Sequence, residues 1–313
     1  MPDTDALARR FLHVNLNTRS LDASEALYDR VLGLSARMRT DKSVASDGSI
    51  LGMSGETFCE TSFLYDSRGG RGGCALEVIE YHDPALAVDT DHDPLRPGLR
   101  SALMTVADLD ETVRALAAAG VDAGERVDGL ISGAPAVLVT DPDGVVVEIS
   151  EVTAGTSGAL FDGIRMATHD VGATADFLAA IGFEEIEAPA ERAIAGRQLA
   201  PGGGSDMRSC RVARYALPED GDRFSLLVVE NEGTASEPVP WGGNRQGLYR
   251  CALRVESVEA ALAQVPSGVQ IMGSPVWCPL PGTKIDGLYI AFLRSPEGVV
   301  FEFVERPLSY FTR

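Results

Sequence analysis

The chain has 313 residues, which is enough for two domains of about 150 residues each. Hydrophobic residues make up 45% of it, so a sizeable core is predicted. The formal net charge of −19 argues against nucleic acid or an anionic membrane as a partner, because both are bound through basic patches. No apolar run approaches the roughly 20 residues of a membrane span, and the first ten residues lack the apolar centre of a signal peptide.

The first predicted elements are a strand over residues 10–20, where apolar and polar residues alternate, and a helix that ends at Gly33. Short strands are predicted within 45–66, and 63–81 is interpreted as a strand, a Gly-rich turn and a strand. The first unit therefore has the order β-α-β-β-β. An Asp- and Pro-rich linker over 82–98 follows it.

Three further units follow the same order. The second begins with a strand and helix over 101–121, in which Asp108 and Glu111 have capping-box spacing. The third begins at 161–183 and the fourth at 248–269, again as a strand followed by a helix. The sequence thus predicts four β-α-β-β-β units.

The second and fourth units end in nearly the same sequence, DPDGVVVEISE at 141–151 and SPEGVVFEFVE at 295–305. Each is a Pro- and Gly-containing turn followed by a β-branched strand with a glutamate in its middle. A carboxylate in a buried strand is costly unless it is paired or binds a metal. The repetition predicts a duplication, with domains at 1–153 and 160–313 and a small-residue linker at 153–159.

The chain has five cysteines, an odd number, and none of them form a Cys-x-x-Cys pair. This favours reduced thiols over a disulfide framework or a zinc site and predicts a cytoplasmic protein.

The opening HVNLNTRSLDASEALYDRVLGL, the closing DPDGVVVEI and the fourfold repeat resemble the vicinal oxygen chelate superfamily. This group includes glyoxalase, bleomycin- and fosfomycin-resistance proteins, methylmalonyl-CoA epimerase and extradiol dioxygenases. The resemblance implies an α+β fold in which the first two units form one domain and the last two another. Each domain would have a mixed sheet curled into a cup, and function has to be argued from the site.

The resemblance also implies two ligand positions per unit, one in the first strand and one in the last. The first-strand positions are His13, Ser101, Gly163 and Arg250, and the last-strand positions are Glu77, Glu148, Leu227 and Glu302.

For the N-terminal cup, the resemblance implies a divalent metal ion at His13, Glu77 and Glu148, with Ser101 in the fourth place as a substrate contact. Fe²⁺, Mn²⁺, Ni²⁺, Zn²⁺ and Mg²⁺ are all compatible with an imidazole and two carboxylates. Such an ion would polarise a carbonyl, and Glu148 or Glu77 would serve as the general base. The alternatives are that His13 is a core histidine and that Glu77 faces solvent.

For the C-terminal cup, the same positions predict no metal, because Gly163 and Leu227 have no ligand atoms. Arg250 takes the place of a histidine opposite Glu302, which predicts a buried ion pair. This cup is either a structural remnant or a pocket in which Arg250 binds a substrate carboxylate.

Three functions are compatible with these residues. The first is a metal-dependent isomerase, lyase or dioxygenase acting on a small oxygenated molecule. The second is a metal-free acid–base enzyme using Glu148 or Glu77, and the third is a non-catalytic protein that sequesters a small molecule. Each would have a small-molecule partner, and a monomer and a homodimer are both compatible with two cups within one chain.

Overall fold

The computed structural model describes residues 7–152, 157–231, 237–280 and 287–308. The first unit contains β1 (Arg10–Thr18), α1 (Leu21–Glu25, continued as a π-helical segment Ala26–Val31), β2 (Ser35–Arg39), β3 (Ser46–Asp47), β4 (Glu56–Tyr65), α2 (Gly69–Gly72) and β5 (Ala75–Asp83). The second contains β6 (Gly98–Val106), α3 (Leu109–Ala118), β7 (Arg126–Asp128), β8 (Pro135–Thr140) and β9 (Val146–Glu151). The predicted order β-α-β-β-β is confirmed in the second unit. The first unit has the same order with two additions, the two-residue strand β3 and the short helix α2, which replaces the predicted Gly-rich turn.

The third unit contains β10 (Leu160–Thr168), α4 (Val171–Ile181), β11 (Glu184–Ala195), α5 (Gly196–Leu199), β12 (Met207–Ala216) and β13 (Ser225–Glu230). The fourth contains β14 (Gly247–Val255), α6 (Val258–Gln264), β15 (Gln270–Pro279), β16 (Gly287–Arg294) and β17 (Val300–Glu305). Four residues of the predicted linker 153–159, namely 153–156, lie outside the described residues.

The same kind of hydrogen bond holds the strand–helix corner in all four units. A glutamate at or near the end of each unit's last strand accepts a hydrogen bond from the first backbone N–H of that unit's helix. The donor–acceptor pairs are Leu21–Glu80, Leu109–Glu151, Val171–Glu230 and Val258–Glu305. A negative charge at a helix N-terminus is favourable, so the identity of positions 151 and 305 in the repeat has a structural cause.

The units pair differently from the prediction. One sheet has the strand order β15-β16-β17-β14-β1-β5-β4-β2, with β3 beside β4, and the other has the order β11-β12-β13-β10-β6-β9-β8-β7. The first unit is thus joined to the fourth through β1 and β14, and the second to the third through β6 and β10. The expected pairing of consecutive units within 1–153 and 160–313 is wrong. The linker after β5 carries the chain into the other sheet, so the second unit begins a new sheet and does not complete the first.

The two sheets share one hydrophobic core, which also takes in the longer helices. Phe11 of β1 packs on Phe183 and Phe224 of the third unit, with ring centroids 5.5 and 4.5 Å apart. Phe177 of α4 packs in turn on Phe301 of β17, at 5.3 Å. Since successive side chains alternate across a strand, the opposite face of each sheet is the cup face. We call the two cups the 1–4 cup and the 2–3 cup after the units that form them.

All five cysteines are free. Among the described residues, no helix is both long enough and apolar enough to traverse a bilayer.

Candidate functional site

The strand register supports the equivalence of the four units. Each predicted first-strand position pairs with the residue two before the predicted last-strand position. The pairs are His13–Ala75, Ser101–Val146, Gly163–Ser225 and Arg250–Val300. The predicted positions therefore lie at corresponding points of the two sheets, although the pairing of units assigns them to different cups.

The 1–4 cup brings together His13, Glu77, Arg250 and Glu302. Arg250 Nη2 donates to Glu77 Oε2 at 2.8 Å, and Arg250 Nε donates to Glu302 Oε2 at 2.9 Å. His13 Nε2 lies 3.4 Å from Glu77 Oε2 and 3.9 Å from Glu302 Oε2. The ion pair of Arg250 with Glu302 was predicted and is confirmed, while the contact of Arg250 with Glu77 follows from the unexpected pairing of units.

Burial is the largest single influence on the pKa values of His13, Glu77 and Arg250. The side chains of Glu77, Arg250 and Glu302 are 7 to 8% exposed, and that of His13 is 14% exposed. Burial lowers the pKa of His13 to about 4, against the attraction of Glu302, so the imidazole is neutral at pH 7. Burial also raises the pKa of Glu77, against the opposing effect of Arg250. Burial alone would lower the pKa of Arg250, but the two carboxylates outweigh it and raise the pKa, so the guanidinium is permanently charged.

Several polar atoms in the 1–4 cup are buried without a hydrogen-bond partner among the described residues. They are His13 Nε2, Arg250 Nη1 and both amide atoms of Asn15. In the pairing of β1 with β5, Asn15 lies beside Glu77. In the pairing of β1 with β14, the neighbouring pairs are Val14–Cys251 and Leu16–Leu248. Asn15 therefore lies opposite Tyr249 and Arg250. Buried polar groups in native proteins are nearly always satisfied, so this cluster indicates a place for a ligand.

Apolar and aromatic side chains form the wall around this polar group. Phe63 pairs with Glu77 across the strands, Phe292 pairs with Glu302, and the Phe63 ring lies edge-on to His13 at 5.4 Å. Several apolar side chains of this wall are only partly buried, namely Ile50, Met53, Val239, Trp241, Met272, Val276, Cys278 and Leu288. The wall suits the carbon skeleton of a small organic molecule.

The 2–3 cup holds two of the predicted site residues, Ser101 and Glu148. The Glu148 carboxylate accepts hydrogen bonds from the backbone N–H groups of Ile131 and Ser132, at 2.9 and 2.8 Å. Because Glu148 lies in the other sheet from His13 and Glu77, the predicted metal site formed by these three residues is not assembled. Ser101 is likewise absent from the 1–4 cup, so it is not the fourth position beside His13.

Arg165 dominates the 2–3 cup, and sequence reasoning missed it. Its side chain is 1% exposed and donates to Ser101 Oγ, Pro94 O and Leu199 O at 2.8 to 3.1 Å. Burial lowers its pKa to about 10, and nearby Arg100 adds to this effect. The sequence did contain a signal, because Arg165 is an arginine in a largely buried strand, two residues after the predicted position Gly163.

The rest of the 2–3 cup is filled by a compact apolar cluster. Its members are all at least nine-tenths buried: Leu95, Leu103, Leu130, Ile131, Ile194, Leu199, Cys210, Val212, Leu227 and Val229. Because Ser101, Glu148 and Arg165 are hydrogen-bonded and the apolar side chains around them are buried, we interpret this cup as a second core.

The donor set of the 1–4 cup does not fit a metal ion. His13, Glu77 and Glu302 converge, but the same Oε2 atoms that face the imidazole accept from the Arg250 guanidinium at 2.8 and 2.9 Å. A divalent ion at this point would have to displace a buried cation or lie against it. Among the described residues, no group of three or more His, Cys, Asp or Glu side chains is arranged to hold a metal ion.

Residues 10–149 match the Glyoxalase/Bleomycin resistance protein/Dioxygenase superfamily. Glyoxalase I from Zea mays is similar in structure, with a TM-score of 0.68 and 15% identity over 97% of this chain and 94% of that one. A putative dioxygenase from Bacillus subtilis subsp. subtilis str. 168 gives a TM-score of 0.63 and 14% identity over 95% and 85%.

The segment 10–149 belongs to this superfamily, and the whole chain has its fold. The resemblance stated from the sequence is therefore confirmed. No match was found among curated protein sequences. At 14 to 15% identity the similar structures establish the fold of this chain and not its activity.

Proposed function

We propose that the 1–4 cup is a metal-free acid–base site for a small oxygenated organic molecule. The observation that carries this proposal is the position of Arg250, whose guanidinium bridges Glu77 and Glu302. A fixed organic cation takes the place that a divalent ion would need, and it provides the same sign of charge.

Glu77 is the proposed proton-transfer group. Its pKa is raised by burial, and a carboxyl with a raised pKa is better matched to proton transfer near neutral pH than an ordinary one. The neutral imidazole of His13 lies beside it, with Nε2 3.4 Å from Glu77 Oε2. Arg250 Nη1, which has no partner among the described residues, is the group that stabilises negative charge on a ligand oxygen.

Metal binding tests the first half of this proposal. We expect the purified wild-type protein to contain no stoichiometric divalent ion and to show no shift in Tm with Ni²⁺ or Zn²⁺. Arg250→His removes the guanidinium and completes a set of two imidazoles and two carboxylates with His13, Glu77 and Glu302, so this variant should gain one Ni²⁺ per chain. Arg250→Met is the matched control, because it removes the cation without adding a ligand atom. A stoichiometric ion in the wild type that is lost in His13→Ala would contradict the proposal.

Proton transfer tests the second half. Small ketones and α-hydroxyketones in D₂O serve as probes, with deuterium incorporation measured by NMR. We expect exchange catalysed by the wild type in the presence of a chelator, and a loss of about 100-fold or more in Glu77→Gln. Equal rates in wild type and Glu77→Gln would contradict a role for this carboxyl.

A sequestration protein is the second candidate function, because the partly buried apolar wall around Trp241 and Phe292 would bind a ligand without any turnover. Tight binding of a probe by both wild type and Glu77→Gln, with no exchange in either, would favour this alternative.

A further inference from the structure

Asn15 is a buried side chain that the proposed acid–base chemistry does not use. It is 0% exposed, and neither its Nδ2 nor its Oδ1 has a hydrogen-bond partner among the described residues. Leaving a buried amide group without a hydrogen-bond partner destabilises the folded chain. Asn17, two residues further on the same face of β1, is more nearly satisfied, because its Nδ2 donates to the carbonyls of Gly243 and Arg245 and only its Oδ1 has no partner among the described residues.

The neighbours of Asn15 explain why no protein group satisfies its amide. On one side it pairs with Glu77, whose Oε2 already accepts from Arg250, and on the other it faces β14. The hydrogen bonds of Arg250 with Glu77 and Glu302 leave its Nη1 free. The floor of the cup therefore presents two kinds of donor, from Asn15 and Arg250, and one amide acceptor.

The net charge of the cup limits the ligand further. Glu77 and Glu302 provide two carboxylates against the single guanidinium of Arg250, and His13 is neutral at pH 7. An anionic ligand would add a charge to a buried group that already has an excess of carboxylate. The cup therefore favours a ligand that is neutral at the group it binds.

We propose that Asn15 is a specificity-determining contact that recognises a neutral ligand group with a carbonyl oxygen next to an N–H or O–H donor. Asn15 Nδ2 and Arg250 Nη1 donate to the carbonyl, and Asn15 Oδ1 accepts from the neighbouring donor. A cyclic amide or a hydroxycarbonyl edge has this pattern. The inference rests on the proposed function, in that the 1–4 cup is taken to be the binding site.

The test uses 2-piperidone as the probe, with N-methyl-2-piperidone lacking the donor and 6-oxopiperidine-2-carboxylate adding a negative charge. Binding is measured by NMR titration of the whole chain. We expect 2-piperidone to bind the wild type, and each of the other two probes to bind about 10-fold or more weakly, because the N-methyl form loses one hydrogen bond and the carboxylate adds a charge to the cup. In Asn15→Leu, the preference for 2-piperidone over its N-methyl form should disappear.

Thermal unfolding separates recognition from a structural role. Because Asn15→Leu replaces an unsatisfied amide by an apolar group of similar size, its Tm should equal or exceed that of the wild type. A lower Tm in Asn15→Leu, an unchanged preference among the probes, or no binding of 2-piperidone to the wild type would overturn the proposal. The outcome is independent of the deuterium-exchange result for Glu77→Gln, so the failure of acid–base catalysis and the failure of recognition by Asn15 are distinguishable.

Discussion

The two cups have the same strand arrangement and the same register, and each has a buried arginine near its centre, yet they differ in what surrounds that arginine. In the 1–4 cup, Arg250 is held by two carboxylates, and its own Nη1 and three polar atoms of His13 and Asn15 lack partners among the described residues. In the 2–3 cup, the arginine binds Ser101 and two backbone carbonyls, and none of the buried atoms without partners belongs to Ser101, Glu148 or Arg165. Unsatisfied polar groups, and not the fold, therefore distinguish a candidate site from a second core.

The largest expected effect is that of Arg250→Met on stability. Without the guanidinium, Glu77 and Glu302 face each other in a buried cup, which costs about 3–5 kcal/mol. Urea unfolding at pH 7.5 measures the loss. Burial already raises the pKa of Glu77, and the variant lacks the opposing effect of Arg250, so its deficit in unfolding free energy should shrink as the pH falls toward 5. A loss of unfolding free energy below about 1 kcal/mol would contradict a stabilising role for the ion pairs of Arg250 with Glu77 and Glu302.

Arg165→Met should also destabilise the chain, by about 2–4 kcal/mol, because the carbonyls of Pro94 and Leu199 lose their donor. Binding of 2-piperidone and the deuterium-exchange rate should be unchanged, since Arg165 belongs to the other cup. A change in either property would show that the 2–3 cup is coupled to the proposed site.

His13 provides a pH-dependent difference between the cups. Its pKa is lowered by burial from 6.5 to about 4 in the folded chain, so the unfolded chain takes up a proton first as the pH falls. The resulting loss of stability is absent above pH 6.5 and grows to about 3 kcal/mol near pH 4. Since Glu77, Asp141 and Asp220 also titrate, the informative quantity is the free energy of unfolding of the wild type minus that of His13→Gln. A pH-independent difference would show that His13 keeps an ordinary pKa.

The smallest effect is expected for Glu148→Gln. The carboxylate accepts two backbone hydrogen bonds, and the amide retains one acceptor and adds a donor, so the cost is about 1–2 kcal/mol. Deuterium exchange should be unaffected, in contrast to the loss in Glu77→Gln. A similar loss of deuterium exchange in Glu148→Gln and Glu77→Gln would indicate that Glu148 takes part in the proposed reaction.

The local structure was predictable from the sequence because its causes are local. The strand–helix corners follow from alternating and helical periodicity, and the cap at Asp108, which accepts from the Glu111 N–H at 2.7 Å, follows from spacing alone. The register between the first and last strands also followed for the first and third units, where the two predicted positions are separated by the same number of residues.

The pairing of the units was not predictable in this way. Identical units satisfy the same pairing rules with any partner, so no local pattern distinguishes β1 beside β6 from β1 beside β14. Because β1 pairs with β14, Glu302 and Arg250 lie near His13, and Glu148 lies in the other sheet. Asn15 was missed for a different reason, because an unsatisfied amide is a property of the surroundings and not of the residue.

Because the first and last units share a sheet, the proposed site has a consequence for biosynthesis. His13 emerges from the ribosome early, but Arg250 and Glu302, on β14 and β17, are made near the end of translation. The edge of β1 that pairs with β14 therefore has no partner strand for most of the synthesis of the chain. A chain truncated between β13 and β14 would lack Arg250 and Glu302 while retaining every strand of the 2–3 cup.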